Sequence, residues 1–276
     1  TAQQIASSPQ LLHLASHCHR LLYHHLDYDS AKIGQWPILT QALGELSGAF
    51  YLLIALAAVP QIRAVHQQLD IPDPISRDTC CHYPEPVRMY QEHHGGNFGM
   101  LPRALYWFRN HIQGDLYRLG RLEFMVKPFR GQLQAFRHRQ TRAVIALANA
   151  ESQFDAAGLS TTSDATDSWR ASLEEDKEKI VGFPISPRGF AQNRSVTLAL
   201  NEWERVLTPG DSILEIHIPG GGNMTLERCR ASMQQALEFF PRYFPQKDFV
   251  GFACGSWILN PQLEQIYRPD SNMVLW

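Results

Sequence analysis

Apolar residues recur every three or four positions through the first quarter of the chain, which is the spacing of one helix face. The pair Trp36 and Pro37 interrupts the pattern, so we expect separate helices on its two sides. The apolar residues with this helical spacing are Leu11, Leu12, Leu14, Ala15, Leu21, Leu22, Leu39, Leu43, Leu46, Phe50, Leu53 and Ala57. Residues 10–65 are therefore predicted to be helical.

The pattern changes to a loose alternation of apolar and polar positions after residue 116, which favours strands. Residues 70–86 contain four prolines and are predicted to begin as a loop, with a short helix at 85–93. A polar segment at 150–169 is predicted to be a surface loop, followed by a charged helix at 173–179. The predicted strands are 116–124, 132–137, 143–148, 180–185, 195–200, 213–218, 249–254 and 273–276.

These elements predict an α+β fold with two domains. The first domain, at residues 1–149, is helical with some strands, and the second, at residues 150–276, mixes helices and strands. The second domain contains the segment with the most chemical information. There a β-branched strand at 213–218 meets Pro219 and then the three glycines Gly220, Gly221 and Gly222.

A helix is predicted directly after these glycines, with Thr225 as its N-cap and an interruption at Pro241. Free amides and the dipole at such a helix start favour an anion such as a pyrophosphate. The alternative is a tight turn that only lets the strand enter the helix. The loop matches neither GxGxxG nor GxxxxGK[ST], which argues against a Rossmann or P-loop nucleotide site.

Composition and charge narrow the classes of function. The chain has 276 residues, 44% of them hydrophobic, and a net charge of −2, which disfavours a nonspecific nucleic-acid binder. The apolar run at 49–60 is too short to span a bilayer, so we expect no membrane partner. Five cysteines without a CxxC pair and the lack of a secretory pattern at the N-terminus favour a cytoplasmic protein. The apolar stretch at the C-terminal end leads us to expect that the natural chain continues.

Several segments resemble a bacterial acyltransferase family with a GNAT-like C-terminal domain. They are GDSILEIHIP, MTLERCRASMQQALEFFPRYFP, GFACGSWILNPQL and SNMVLW, and upstream Gly99, Trp107 and the run 119–122 are similar to the family's N-terminal domain. The resemblance implies acetyl-CoA or another acyl-CoA as co-substrate, a small-molecule acceptor and no metal, and leaves homo-oligomerisation open. It also implies that 213–218 is the central strand and that 249–256 lies beside the acyl group. The family's phosphate signature is [QR]xxGx[GA], and this chain has His217 at the first position.

Candidate site residues follow from this resemblance and from the chemistry of acyl transfer, which needs a base, polarising donors and an acid. The expected cofactor-binding residues are Ile216, Ile218, Gly220, Gly221, Gly222, Asn223 and Asn260. The expected catalytic residues are His217 as base with Glu215 on the same strand face, Cys254 and Ser256 as proton donors, and Tyr117 as another candidate acid. For each of these side chains a purely structural role is the alternative, and for His217 a role on the phosphate side of the site is also open.

Three rival interpretations of the chain stay open. The domain could be a non-catalytic module that binds a small molecule or a protein. A thiol-dependent hydrolase would use Cys254 as nucleophile, which requires a lowered thiol pKa. The histidines, among them His13 and His17 one helical turn apart, suggest a zinc site, although HExxH is missing from the sequence. His93 and His94 are also candidates to line a substrate pocket.

Overall fold

The computed structural model describes residues 2–81, 83–162, 167–271 and residue 274. The chain forms two compact units, one of Thr1–Met125 with Ile218–Pro245 and the other of Val126–His217 with Gln246–Trp276. The chain therefore leaves the first unit after Met125 and returns to it at Ile218. The observed combination of a helical N-terminal region with a strand-rich remainder confirms the α+β prediction.

The first unit is mainly helical, as the apolar period predicts. Its core contains Leu22, Phe50, Ile62 and Phe108, all fully buried. The helices are α1 (Ala2–Ala6), α2 (Pro9–Tyr23), α3 (Ser30–Gly34), α4 (Thr40–Leu43), α5 (Ser47–Leu56), α6 (Val59–Gln68), α7 (Asp73–Cys80), α8 (Pro84–His93), α9 (Phe108–Ile112) and α10 (Leu226–Tyr243), with 3₁₀ turns at Gly44–Leu46 and Pro102–Trp107.

A buried arginine holds the end of α2 and the loop after it. Arg109 is 5% exposed, and its guanidinium donates to the carbonyl oxygens of Leu22 at 3.0 Å, Leu21 at 2.7 Å and His25 at 3.1 Å, and also to that of Tyr28. The last carbonyls of a helix have no partner within the helix. Arg109 therefore satisfies carbonyl groups that would otherwise be buried without a donor.

Two glycines make room for a buried tyrosine. A Cβ atom at Gly48 would lie 2.2 Å from Cζ of Tyr90, and one at Gly99 would lie 2.5 Å from Cε1 of the same ring. Tyr90 also stacks on His94, with the ring centroids 3.9 Å apart. The close approach of the backbone to this ring gives Gly99 a packing role.

Among the described residues, the segment Thr40–Gln68 is long and apolar enough to cross a membrane. Core helices meet the same criterion, so length and composition are weak evidence for a span. In this structure the segment is divided into α4, α5 and α6, and Phe50, Ile54 and Ile62 pack in the core of the first unit.

The N-terminal part of the first unit ends in a hairpin, whose second strand continues past Met125 into the second unit. β1 (Tyr117–Leu119) and β2 (Leu122–Pro128) form an antiparallel hairpin in which Tyr117 is opposite Phe124. The hairpin turns at Gly120, which has a φ of 67°. The sequence predicted one strand over 116–124, and the structure divides it because a positive φ at glycine reverses the chain.

The second unit contains the remaining strands, most of which pair antiparallel in small sheets. They are β3 (Leu133–His138), β4 (Val144–Ala148), β5 (Gln153–Phe154), β6 (Trp169–Arg170), β7 (Leu173–Glu175), β8 (Lys179–Gly182), β9 (Pro184–Ile185), β10 (Val196–Ala199), β11 (Trp203–Leu207), β12 (Ser212–His217) and β13 (Phe252–Ala253). One sheet has the order β11-β3-β4-β9 and another β10-β8-β7. Phe136, Leu147 and Ile180 form part of the core between these strands.

β12 and β13 are the parallel pair of this unit. Leu214 is opposite Phe252 and Glu215 is opposite Ala253, and β12 then continues to His217 beyond the last residue that pairs with β13. Two 3₁₀ helices, Trp257–Leu259 and Pro261–Gln265, follow β13.

Four expectations about local structure are corrected or untested. The helix predicted at 173–179 is wrong, because β7 pairs with β8 and Asp176 accepts the amides of Glu178 and Lys179 in a turn. The loop predicted from residue 70 contains α7, since a proline is tolerated in the first turn of a helix. α10 runs through Pro241 to Tyr243. The strand predicted at 273–276 lies outside the described residues, apart from residue 274.

Candidate functional site

The loop after β12 exposes three glycines to solvent. Gly221 and Gly222 adopt left-handed backbone angles, with φ of 76° and 72°. A Cβ atom at Gly221 would have no atom within 4 Å, so backbone conformation and not crowding favours glycine there. The amides of Gly220, Gly221 and Gly222 have no hydrogen bond to any described residue. These amides are therefore available to a ligand.

Three residues, 223–225, separate the glycines from helix α10. The N-cap prediction for Thr225 is confirmed, because its Oγ1 accepts the amide of Arg228 at 3.3 Å. Thr225 satisfies one of the four orphan amides of the first turn. The dipole of this 18-residue helix adds to the preference of the loop for a negatively charged group.

Arg121, in the β1–β2 hairpin, fixes the start of the loop. Its Nη1 donates to the carbonyl oxygen of Pro219 at 2.9 Å, and its main-chain amide donates to Oγ of Ser232 at 2.8 Å. Ser232 in turn donates to the carbonyl oxygen of Arg228 at 3.0 Å. The hairpin, the glycine loop and α10 are thus joined by hydrogen bonds within the first unit.

These three elements enclose a positively charged cavity of about 550 Å³. It is lined by Arg118, Gly120, Arg121, Gly220, Gly221, Gly222, Arg228, Ala231, Ser232 and Gln235. No carboxylate is among these lining residues. Burial lowers the pKa of the Arg121 guanidinium, and the charges of Arg118 and Arg228 lower it further, whereas Cys229 and Glu123 oppose the change. Arg118 and Arg228 therefore each repel the guanidinium of Arg121.

Sequence reasoning missed Arg118, Arg121, Arg228 and Ser232 as site residues. The resemblance named the run 119–122 but gave it no role. Arg121 and Pro219 are 98 positions apart, so no local motif links them. One sequence feature could have pointed to them. No lysine follows the glycines, so a phosphate bound there would need cations from other parts of the chain.

Glu215 and His217 contact each other at the end of β12. Oε2 of Glu215 lies 3.3 Å from Nε2 of His217, as expected for side chains two residues apart on a strand. The hydrogen bond from His217 lowers the pKa of the Glu215 carboxyl, burial opposes this, and the charges of His217, Lys127 and Arg130 lower it further. Glu215 is therefore an anion at neutral pH beside the imidazole.

Cys254 follows β13 and is half-buried. Burial raises the pKa of its thiol, and the negative charge of Glu215 raises it further. The thiol is therefore protonated at neutral pH, which disfavours the thiolate nucleophile of the hydrolase interpretation.

Ser256 and Asn260 cap the 3₁₀ helices after β13. Oγ of Ser256 accepts the amide of Ile258 at 3.4 Å, and Oδ1 of Asn260 accepts the amide of Gln262 at 2.9 Å. These contacts give both residues a structural role. Their participation in a site stays a prediction.

Tyr117 lies in β1 of the first unit and is fully buried. Its ring packs against those of Phe239, Phe240 and Phe244, and burial followed by the charge of Asp115 raises the pKa of its hydroxyl. Such surroundings are those of a core residue. Of the other expected residues, Ile216 is buried, Ile218 is half-buried and Asn223 is exposed.

The histidine-rich segments form no metal centre within the ranges that the structure describes, where no group of three or more His, Cys, Asp or Glu side chains converges. In α2, Nδ1 of His17 lies 3.3 Å from Nη2 of Arg20. His93 and His94 line a cavity of about 450 Å³ in the first unit, together with Met89, Tyr90 and Arg103.

Comparison with protein families identifies both parts of the chain. The profile of the N-acyltransferase N-terminal domain matches residues 1–114, and that of the GNAT-like C-terminal domain matches residues 116–276. The chain belongs to this N-acyltransferase family. The resemblance found in the sequence is thereby confirmed. The two profiles meet near residue 115, and the domain boundary expected at 149–150 stays a prediction.

Solved structures of acyltransferases share the fold of this N-acyltransferase chain. One, in complex with decanoyl-CoA and teicoplanin, has a TM-score of 0.57 and 21% identity over 95% of this chain and 56% of its own. Another, in complex with CoA and 10C-teicoplanin, has a TM-score of 0.59 and 21% identity over 98% of this chain and 61% of its own. The chain thus spans between 56% and 61% of the length of these two structures. No protein with a curated function matches the sequence significantly.

Proposed function

We propose that this protein transfers an acyl group from acyl-CoA to an amine of a small-molecule acceptor. The observation that carries the proposal is the loop at 220–222, whose amides are unpaired within the described structure and border a cavity with three arginines. A cavity lined by cations and free amides fits the phosphates of coenzyme A, and the carboxylate of Glu85 near Gly220 is paired with Arg88. The family membership supports the same activity.

The residues at the end of β12 supply the acid–base chemistry in this proposal. His217 accepts the proton of the attacking amine, and the carboxylate of Glu215, 3.3 Å away, stabilises the imidazolium that results. The new C–N bond forms as the C–S bond of the thioester breaks. The departing thiolate takes the thiol proton of Cys254, and the imidazolium of His217 then returns a proton to that sulfur. The raised pKa of Cys254 keeps its thiol protonated until the thiolate departs.

We propose a short acyl group, with acetyl as the first candidate, on a primary amine. The solved relatives are acyltransferases in complex with decanoyl-CoA and octanoyl-CoA, so longer chains are the direct competitors. The acceptor is expected to be a small molecule. The five free cysteines support a cytoplasmic location as part of this proposal.

Calorimetry and a thiol-release assay test the proposal together. Full-length protein is titrated with acetyl-, octanoyl- and decanoyl-CoA, and free thiol is then followed with a panel of primary amines. Binding of acyl-CoA together with amine-dependent thiol release supports the activity, and the chain length with the highest kcat/KM identifies the acyl group. No binding at millimolar acyl-CoA would refute it.

Two further results separate the rival functions. Binding of acyl-CoA with no turnover on any amine would favour the non-catalytic module. An acyl group trapped on Cys254, detected by mass spectrometry of the intact protein, would favour a covalent thiol route over direct transfer. Cys254→Ser is the matched variant: it abolishes a covalent thiol route, whereas direct transfer loses only the contribution of the proton donor and continues at a lower rate.

A further inference from the structure

The cavity beside the glycine loop has more positive charge than a pyrophosphate group needs. Three guanidinium groups, those of Arg118, Arg121 and Arg228, line it with no carboxylate between them. The charges of Arg118 and Arg228 both lower the pKa of Arg121, so each of them repels the Arg121 guanidinium in the free protein. A bound anion with more than one negative charge would relieve this repulsion.

The three arginines differ in how much their hydrogen bonds within the protein restrain them. Nη1 of Arg121 is engaged with Pro219, and Nε of Arg118 donates to the carbonyl oxygen of Gly120 at 3.4 Å. The guanidinium of Arg228, at the third position of α10, has no hydrogen bond or ion pair with a described residue. Arg228 therefore has its full donor set available to a ligand.

The neutral amides and the guanidinium groups suit different phosphates. A pyrophosphate diester carries one charge on each phosphorus, and main-chain amides at a helix start bind such groups well. A phosphate monoester carries nearly two charges on one phosphorus near neutral pH and is the group that arginine forks bind most strongly. Coenzyme A has both kinds of group.

We propose that Arg118, Arg121 and Arg228 form a subsite for the 3′-phosphate of coenzyme A. This inference rests on the proposed function above, since it requires that coenzyme A is the molecule bound at the glycine loop. Its consequence is selectivity: the protein distinguishes coenzyme A from 3′-dephospho-coenzyme A, which differs only by that phosphate.

The test is calorimetric titration of three proteins with coenzyme A and with 3′-dephospho-coenzyme A. The proteins are the wild type, Arg228→Gln, and Arg230→Gln as the matched control. Arg230 is an exposed arginine of the same helix that does not line the cavity. The wild type is expected to prefer coenzyme A by about tenfold or more, as a charge-assisted contact implies. Arg228→Gln should remove most of that preference without changing the affinity for the dephospho form.

The outcomes distinguish this inference from the function on which it rests. Equal affinity of the wild type for the two ligands, or a variant that weakens both equally, overturns the 3′-phosphate subsite and leaves the acyltransferase proposal standing. Failure of the wild type to bind either ligand overturns both proposals. A preference that Arg230→Gln reduces as much as Arg228→Gln overturns the subsite, because a general loss of charge then explains it.

Discussion

Replacing Gly221 by alanine tests whether the conformation of the glycine loop matters for binding. Gly221 has a φ of 76°, and a Cβ atom there would meet nothing within 4 Å. The substitution therefore adds no clash within the protein and changes only the backbone preference. Gly220 is the matched control, since its φ is not positive and its Cβ would make an ordinary contact at 3.5 Å from Glu85.

The expected size of the effect follows from the cost of a left-handed residue, which is about 1–2 kcal/mol for a side chain with a Cβ. If the loop keeps its shape in the free variant, this strain lowers the free energy of unfolding. If the loop of the free variant instead adopts another conformation, binding must return residue 221 to the left-handed conformation. Coenzyme A then binds about 5- to 30-fold more weakly. The losses in stability and in affinity together should then total about 1–2 kcal/mol.

Two measurements on each variant check this sum: urea unfolding for stability, and calorimetric titration with coenzyme A for affinity. Gly220→Ala should change both by much less than Gly221→Ala. If the two variants match in stability and in affinity, the left-handed conformation of Gly221 has no energetic role, and the argument for a preformed phosphate loop fails.

Four other predictions concern the acid–base pair and the packing of the first unit. His217→Ala should lower kcat by about 10²- to 10⁴-fold with coenzyme A affinity unchanged in calorimetry, and an unchanged rate would exclude His217 as the base. Because the pKa of Glu215 is lowered in the folded protein, its stabilising contribution is present above the ordinary carboxyl value of about 4.3 and is lost as pH falls through the lowered pKa. Urea unfolding should therefore show wild type losing stability relative to Glu215→Gln in that acidic range, and parallel pH profiles would contradict this. Arg109→Met should lower the free energy of unfolding by more than about 3 kcal/mol, because several carbonyls lose their donor; a loss below about 1 kcal/mol would show that water replaces the guanidinium. Gly48→Ala should destabilise the protein by about 1–3 kcal/mol through overlap with Tyr90, whereas in a Tyr90→Leu background the same change should be neutral or stabilising by up to about 1 kcal/mol; the same sign in both backgrounds would refute the steric account.

Elements with a strong local pattern were predictable from the sequence. The start of α10 at Thr225 and the strand at 213–218 follow from capping chemistry and from a β-branched run before glycine, and both are observed. β7 could not be predicted in the same way, because its residues favour a helix by composition. Only its pairing with β8, which depends on the tertiary structure, makes it a strand.

The chemistry of the site was predictable only in part, for the same reason. The spacing of Glu215 and His217 places them on one strand face, and the observed separation of 3.3 Å agrees with this. Ser256 and Asn260 occupy cap positions, which a sequence without the fold does not distinguish from ligand positions. Tyr117 packs against Phe239 and Phe240 of α10 and against Phe244 directly after it. These residues are more than a hundred positions away in the chain, so no local sequence pattern predicts the contact.

The origin of the positive charge beside the glycines explains how the chain can depart from the family's phosphate signature. The signature has Gln or Arg at the position of His217, and here that side chain contacts Glu215 instead. The cations that line the loop come from the hairpin and from α10, through Arg118, Arg121 and Arg228, and Arg121 also holds the loop by its bond to Pro219. The surroundings of the loop are therefore positively charged even though position 217 is not an arginine. It also leaves an imidazole beside a carboxylate at the end of the strand, which is the arrangement that proton transfer requires.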